Sequence, residues 1–326
     1  MKTAVVTTTI NVPEVLAVYK KYAPADIQFF VAGDLKTSKE AQAFCYKHNI
    51  NYLTPAMQQR WQSSEIIGWN NDSRRNFAVL EALKWGAELL ISIDDDMVPY
   101  ATFFTCFERL FEGRWSGLQI GEPGCWVDQG QYTIPAARAR GLPATVPNYS
   151  RFKNEGIGVV HDVTIGVAQG IILGVPDTSA EMAMYPGPYI TGVTDILRYG
   201  FVTHPECYSV FNSQITAFRR EVAPGFAQFY AEQGRNTDIF ASLMMRRNAR
   251  AAGWYTHYGL PMGYHNRSVR DLNKDLQAEK WGVENIQAFA KELDDPNFHV
   301  ENSKVLSDKT KEMSYLWLED YTEALK

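Results

Sequence analysis

Short β-branched runs and helical repeats of apolar residues take turns over residues 1–120, the pattern of an α/β sheet with crossover helices. Residues 4–9 form the first run, rich in valine and threonine, which breaks at Asn11-Val12-Pro13. Pro13 suits a helix start, after which Val15, Leu16 and Tyr19 recur at helical spacing. Residues 27–32 read as a second buried strand closed by Gly33-Asp34, residues 38–48 as a helix, and Tyr52-Leu53 as a short strand. Asp72-Ser73 is placed to cap a helix that carries Phe77, Leu80 and Leu83 on one side and stops at Gly86. Residues 89–93 make a short apolar strand that runs directly into three consecutive aspartates.

The pattern then changes. Pro123, Pro135, Pro143, Pro147, Pro176, Pro186 and Pro188, with many glycines, make residues 121–188 loop-rich. Such a segment with apolar and aromatic residues predicts loops that cover a substrate. Its Trp126, Tyr132, Tyr149, Phe152 and Tyr185 are suited to stack on sugar or base rings. Residues 238–252 read as a helix with Ile239, Leu243 and Met244 among its apolar positions. A polar helical stretch follows over 269–293, and an amphipathic one ends the chain over 313–325. The expected division is a main unit, 1–268, and a C-terminal helical extension, 269–326.

Composition narrows the classes. With 45% hydrophobic and 21% charged residues the chain has a folded core, unlike a disordered or coiled-coil chain. A net charge of -5 argues against broad gripping of nucleic acid phosphates, though not against a local basic pocket. Cys45, Cys106, Cys125 and Cys207 are widely spaced and read as reduced, buried thiols. The start of the chain runs straight into a strand and lacks the pattern of a signal peptide. The longest apolar stretch, 165–175, is too short for a bilayer, so the expectation is a cytoplasmic protein with no membrane partner.

Four places carry chemistry. Asp94-Asp95-Asp96 follow a buried strand, where three adjacent carboxylates raise one another's pKa unless a cation or donors compensate. Hard oxygen ligands there suit Mg²⁺ or Mn²⁺, with a substrate diphosphate completing the octahedron; the alternative is a solvated acidic turn or a helix cap. Arg74-Arg75-Asn76 begin the preceding helix and suit a diphosphate, or else an exposed basic turn. Asp238, after Asn236-Thr237, is either a group that orients an acceptor hydroxyl or acts as general base, or a plain helix cap. His265 follows the Gly259-Leu260-Pro261 run and is either an imidazole ligand for manganese or structural.

In this order the features resemble the GT-A glycosyltransferase fold, an α/β mixed sheet flanked by helices. More narrowly they are similar to the reversibly glycosylated polypeptides (UDP-arabinopyranose mutases) and STELLO-type proteins. Arg74-Arg75-Asn76, Gly86-Ala87-Glu88 and the acidic triplet match the STELLO pattern. The Gly166-to-Asp177 run, the Phe211-to-Glu221 block, Asp238-Ile239-Phe240 and the Gly-Leu-Pro run with His265 match mutase segments. The resemblance implies a UDP-sugar donor and Mn²⁺ or Mg²⁺. It implies that Thr7, Thr8, Thr9 and Asp34 surround the uracil and that Arg74 or Arg75 faces the diphosphate. It further implies that Asp94 contacts the ribose, that Asp96 and His265 hold the metal with Asp94 beside them, and that Asp238 and Asp95 serve catalysis. The acceptor is left open among a glycan, a protein, a small molecule and a modified nucleobase, and a homo-oligomer stays possible. The mutases carry a reactive arginine where this chain has Gly158-Val159-Val160-His161-Asp162-Val163, with Arg151 out of register. Transfer to a separate acceptor is therefore expected, with a mutase or a non-catalytic nucleotide-sugar binder as alternatives. A phosphohydrolase using Asp94 as nucleophile lacks the threonine and lysine partners it needs.

Overall fold

The computed structural model describes residues 1–146, 156–184, 187–229, 231–265 and 271–326. Eleven strands join in one mixed sheet. In chain order they are β1 (Thr3–Thr9), β2 (Gln28–Gly33), β3 (Asn51–Leu53), β4 (Leu89–Ile93), β5 (Met97–Pro99) and β6 (Trp115–Ile120). They continue with β7 (Ile157–Val163), β8 (Ile165–Gly174), β9 (Phe201–Thr203), β10 (Ile215–Arg219) and β11 (Tyr255–His265). Across the sheet the order is β3-β2-β1-β4-β10-β8-β11-β9-β6-β7, with β5 paired to β11. The first four are parallel, whereas β10 runs antiparallel to both β4 and β8.

All five residues of β4 are buried, so the strand has no solvated face and reads as an apolar run. Its one polar side chain, Ser92, donates its hydroxyl to the Ser213 carbonyl at 2.7 Å. Helices cover both faces: α1 (Val15–Tyr22), α2 (Lys39–Lys47), α3 (Arg75–Lys84), α4 (Phe103–Glu112), α5 (Thr237–Ala251), α6 (Leu272–Glu292) and α7 (Asp308–Ala324). On one face α4 buries Phe103, Phe104, Phe107 and Phe111, positions that repeat along one helical stripe, with Phe103 edge-on to Tyr19 of α1 at 5.0 Å. Each such phenyl contributes roughly 1.5–3 kcal/mol by burial. On the other face Phe77 of α3 shares a cluster with Val6 and with Met313 and Trp317 of α7. A third cluster joins α5 to α6, where Phe240 meets Phe289 at 5.0 Å.

The βα alternation expected over residues 1–93 is present, with Ser38 capping α2 by accepting from the Ala41 amide at 3.2 Å. Asp72 and Ser73 lie inside a 3₁₀ turn, Asp72–Arg74, that leads into α3, and Asn71 caps that turn by accepting from the Ser73 amide at 3.1 Å. The reading of 121–188 as loop-rich is corrected, because β7 and the long central strand β8 lie inside it. Glycines hide β8 from a propensity reading, yet packing demands them: a Cβ at Gly170 would lie 2.5 Å from Ile215 Cγ2. The cysteines are free thiols, but Cys125 is exposed and Cys106 half-buried, so only Cys45 and Cys207 fit the buried reading. Among the described residues no helix is long and apolar enough to cross a membrane.

Candidate functional site

β1 and β4 are adjacent and parallel, so their carboxyl ends open side by side. A cleft of about 430 Å³ lies there. Thr8, Thr9, Ile10 and Asn11 line it after β1, Asn70, Asn71, Asp72 and Arg75 near the start of α3, and Asp94 and Asp95 after β4. Ser213 and Gln214 close it before β10, with Arg140, Asp177, Arg235 and Asp238 on the far wall.

Each aspartate of the triplet has a different setting. Asp94 accepts from Arg75 Nη2 on one oxygen and from Gln214 Nε2 at 2.8 Å on the other. Arg75 is buried and also donates to the Ser213 hydroxyl, while its Nε has no partner. Burial works against the Arg75 charge, but Asp94 holds the guanidinium above the usual arginine range. Asp95 accepts from the Thr9 hydroxyl, yet burial pushes its carboxyl up to about 6, with Asp94 and Asp96 adding to the rise. Asp96 is the exposed member, and its Oδ2 lies 3.1 Å from Nε2 of the fully buried His265. Nδ1 of His265 is 3.0 Å from the Val175 carbonyl, which can only accept, so Nδ1 carries the hydrogen and Nε2 faces Asp96. Among the described residues no three His, Cys, Asp or Glu side chains converge on one point.

Asp96 and His265 are not among the residues that line the cleft, and Arg74, Thr7 and Asp34 do not line it either. Arg74 is fully buried, donating to Gln58 Oε1 at 2.8 Å, the Ser64 and Gly68 carbonyls and the Ser64 hydroxyl, and it stacks on Trp69 at 3.6 Å. That head group is spent on the fold, which corrects the pairing of Arg74 with a diphosphate. Thr7 is buried behind the cleft, its hydroxyl on the Thr8 carbonyl at 3.3 Å. Asp34 is also buried and accepts the amides of Leu35, Asn70 and Asn71, bracing the loop that forms one wall. Of the expected stacking aromatics, Tyr132 is buried against Phe201 and Trp126 rests on Tyr208, while Tyr149, Phe152 and Tyr185 lie outside the described residues.

The far wall is an ion-pair chain that the sequence reading did not assemble. Arg140 Nη2 donates to Asp177 at 2.7 Å and Asp238 at 2.8 Å, and its Nη1 donates to the Arg235 carbonyl. Arg235 in turn meets Glu279 at 2.5 Å and Asp275 at 3.2 Å on α6. Burial alone would lower the Arg140 pKa, but Asp177 and Asp238 carry it well above the ordinary value. Asp238 also takes the Ile239 amide at 3.0 Å, as a residue entering α5 would. Gly141 permits the contact, since its φ is +83° and a Cβ there would lie 2.3 Å from Ile239 Cγ2. Asp177, Ser213 and Gln214 fall within runs that carried the family resemblance, although no role attached to them; Arg140 and Arg235 gave no signal.

No family model matches the chain, and no curated protein matches it. Among solved structures it is similar to glucosyl-3-phosphoglycerate synthase from Mycobacterium tuberculosis in complex with Mn²⁺ and uridine-diphosphate-glucose. That match has 12% identity and a TM-score of 0.46, and covers 89% of this chain and 79% of that one. It is also similar to S. aureus TarS 1-349 in complex with UDP-GlcNAc, at 13% identity and a TM-score of 0.42, over 99% of this chain and 73% of that one.

Proposed function

We propose that the chain is a metal-dependent glycosyltransferase that takes a sugar from a UDP-linked donor held in the cleft and passes it to a separate acceptor. The carrying observation is the pair Asp96 Oδ2 and His265 Nε2, 3.1 Å apart. Two cis ligands of an octahedral ion, each about 2.1 Å from it, sit about 3 Å apart. Asp94 is held by one donor on each oxygen, from Arg75 and from Gln214, which sets it apart from Asp96 as a metal ligand. Asp96 and His265 would therefore hold Mn²⁺ or Mg²⁺, with diphosphate and water oxygens as the remaining ligands. When bound, the ion supplies Lewis-acid and electrostatic stabilisation of the departing diphosphate.

Charge supports the same reading. The lining sets the carboxyl groups of Asp72, Asp94, Asp95, Asp177 and Asp238 against the guanidinium groups of Arg75, Arg140 and Arg235, so a diphosphate alone would be repelled. Arg75, fixed between Asp94 and Ser213 at the cleft edge, offers its guanidinium charge to a phosphate oxygen. Asp94, fixed by two donors, keeps lone pairs for the ribose. Thr8 to Asn11, with Asn70 and Asn71, offer backbone and amide groups to the base, and Asp34 holds that wall from behind. Arg140 pairs with Asp238 at 2.8 Å and fixes its carboxylate toward the cleft, which suits it to orient an acceptor hydroxyl.

Calorimetry of UDP with and without Mn²⁺ tests the assignment. Wild type should bind UDP only with the metal and release UDP slowly from UDP-sugars. Asp96→Ala should lose about 100-fold or more in metal-dependent affinity with little change in melting temperature. Unchanged UDP affinity in that variant would defeat the assignment.

A further inference from the structure

Among the described residues, Asp72 is the one cleft carboxylate that meets no hydrogen-bond donor and no ion-pair partner. Of the other four in the lining, Asp94 takes donors from Arg75 and Gln214, and Asp95 takes the Thr9 hydroxyl beside the loop after β1. Asp177 holds Arg140 with only 2% of its side chain exposed. Asp238 gives Oδ1 to the Ile239 amide and Oδ2 to Arg140, and its side chain is 10% exposed. Asp72, by contrast, is exposed, and the space it opens into is the cleft.

Its charge is not there for the fold. The enclosing walls and the neighbouring Asp238 and Asp94 charges hold its carboxyl above the usual carboxylate range, against the pull of Arg75 and Arg140. Those four groups also locate it. Arg75 and Asp94 stand on the side read above as holding diphosphate and ribose, and Arg140 and Asp238 on the far wall that faces an acceptor. A group that removes a proton in the transition state needs free lone pairs, access to the substrate and a place between the two reacting partners. Asp72 has all three, whereas Asp177 and Asp238 are tied to Arg140.

We propose that Asp72 is the general base of the transfer, a role that rests on the reading of the cleft as a UDP-sugar site. As the acceptor oxygen attacks the anomeric carbon, its proton passes to the Asp72 carboxylate. The electron pair of the bond from that carbon to the diphosphate oxygen leaves with UDP, and Asp72 then gives the proton to water. Such a single displacement inverts the anomeric carbon. Water in place of the acceptor tests it, with the full-length chain, Mn²⁺ and a panel of UDP-sugars. Wild type should release UDP slowly, together with a sugar of inverted configuration by polarimetry. Asp72→Asn, with Asp72→Ala as a second variant, should lower kcat about 100-fold or more. The KM for the donor and the metal-dependent UDP affinity should stay within about two-fold of wild type. Equal kcat in the variants, a sugar of retained configuration, or a wild type that binds UDP but hydrolyses no UDP-sugar overturns the assignment. A loss confined to KM and UDP affinity also overturns it, since Asp72 would then only bind the donor. A wild type that does not bind UDP with Mn²⁺ defeats the reading of the cleft itself, and the base with it.

Discussion

Arg74 and Arg75 are consecutive, yet the turn between the short 3₁₀ segment and α3 sends one guanidinium into the fold and the other to the cleft edge. Arg74→Met leaves Gln58, Ser64 and Gly68 without their donor and should cost about 3–5 kcal/mol in urea unfolding. Arg75→Lys keeps a charge but loses the planar fork, so UDP affinity should fall about 10- to 100-fold by calorimetry with stability nearly kept. His257 gives a different readout. Both its ring nitrogens are buried without partners, and burial drives its pKa down to about 3. The unfolded chain takes up a proton near pH 6.5 that the fold refuses, so stability is full above that pH and is lost as pH falls toward 3. Between pH 7 and 4.5 the loss through this group should be roughly 2–3 kcal/mol, and His257→Phe should flatten that part of a urea-midpoint profile.

At the scale of elements, the C-terminal helix reaches the site through relays. Asp320 of α7 accepts the amides of Gln62 and Ser63, both at 2.9 Å, and the Ser63 hydroxyl at 2.6 Å, capping the short helix Ser63–Ile67. Ser64 on that helix holds Arg74, which sits one residue before Arg75. Asp320→Ala should cost about 1–2 kcal/mol and speed amide hydrogen exchange over residues 62–75 while leaving α5 unchanged. Some elements were legible: β1 and β4 as short apolar runs, α2 by its helical spacing, and the helix read from Asp238, which starts one residue earlier at Thr237. β8 was not, since Gly166, Gly170 and Gly174 serve close packing and mimic a loop, and no apolar run announced β10, which mixes Thr216 and Arg219 with apolar residues.

Across the whole molecule, the legible part of the cleft is the part built from local runs. Thr8, Thr9, Arg75, Asp94 and Asp95 come from βα units contiguous in sequence, where a strand end and a helix start announce themselves. Arg140, Arg235 and the partners of Asp238 come together only through the antiparallel placement of β10 and the docking of a distant loop, which no spacing encodes. Gly141→Ala tests that docking. With the loop forced off Ile239, Arg140 should lose Asp238, and sugar transfer should fall about ten-fold or more while metal-dependent UDP binding persists. Equal transfer rates in the variant and wild type would remove the far wall from the reaction.

The ion-pair chain of the far wall also sets a timetable. Arg140 leaves the ribosome well before Asp177 and Asp238, and Arg235 before Asp275 and Glu279. At about 5–20 residues per second the first arginine waits on the order of ten seconds before the last carboxylate is made. During that interval β1–β4 have been made but still lack β10 and α7, and the opposite wall has cations without counterions and cannot close. The nascent chain therefore keeps an open cleft until its far wall is made, and that interval is when a chaperone or a protease would meet it.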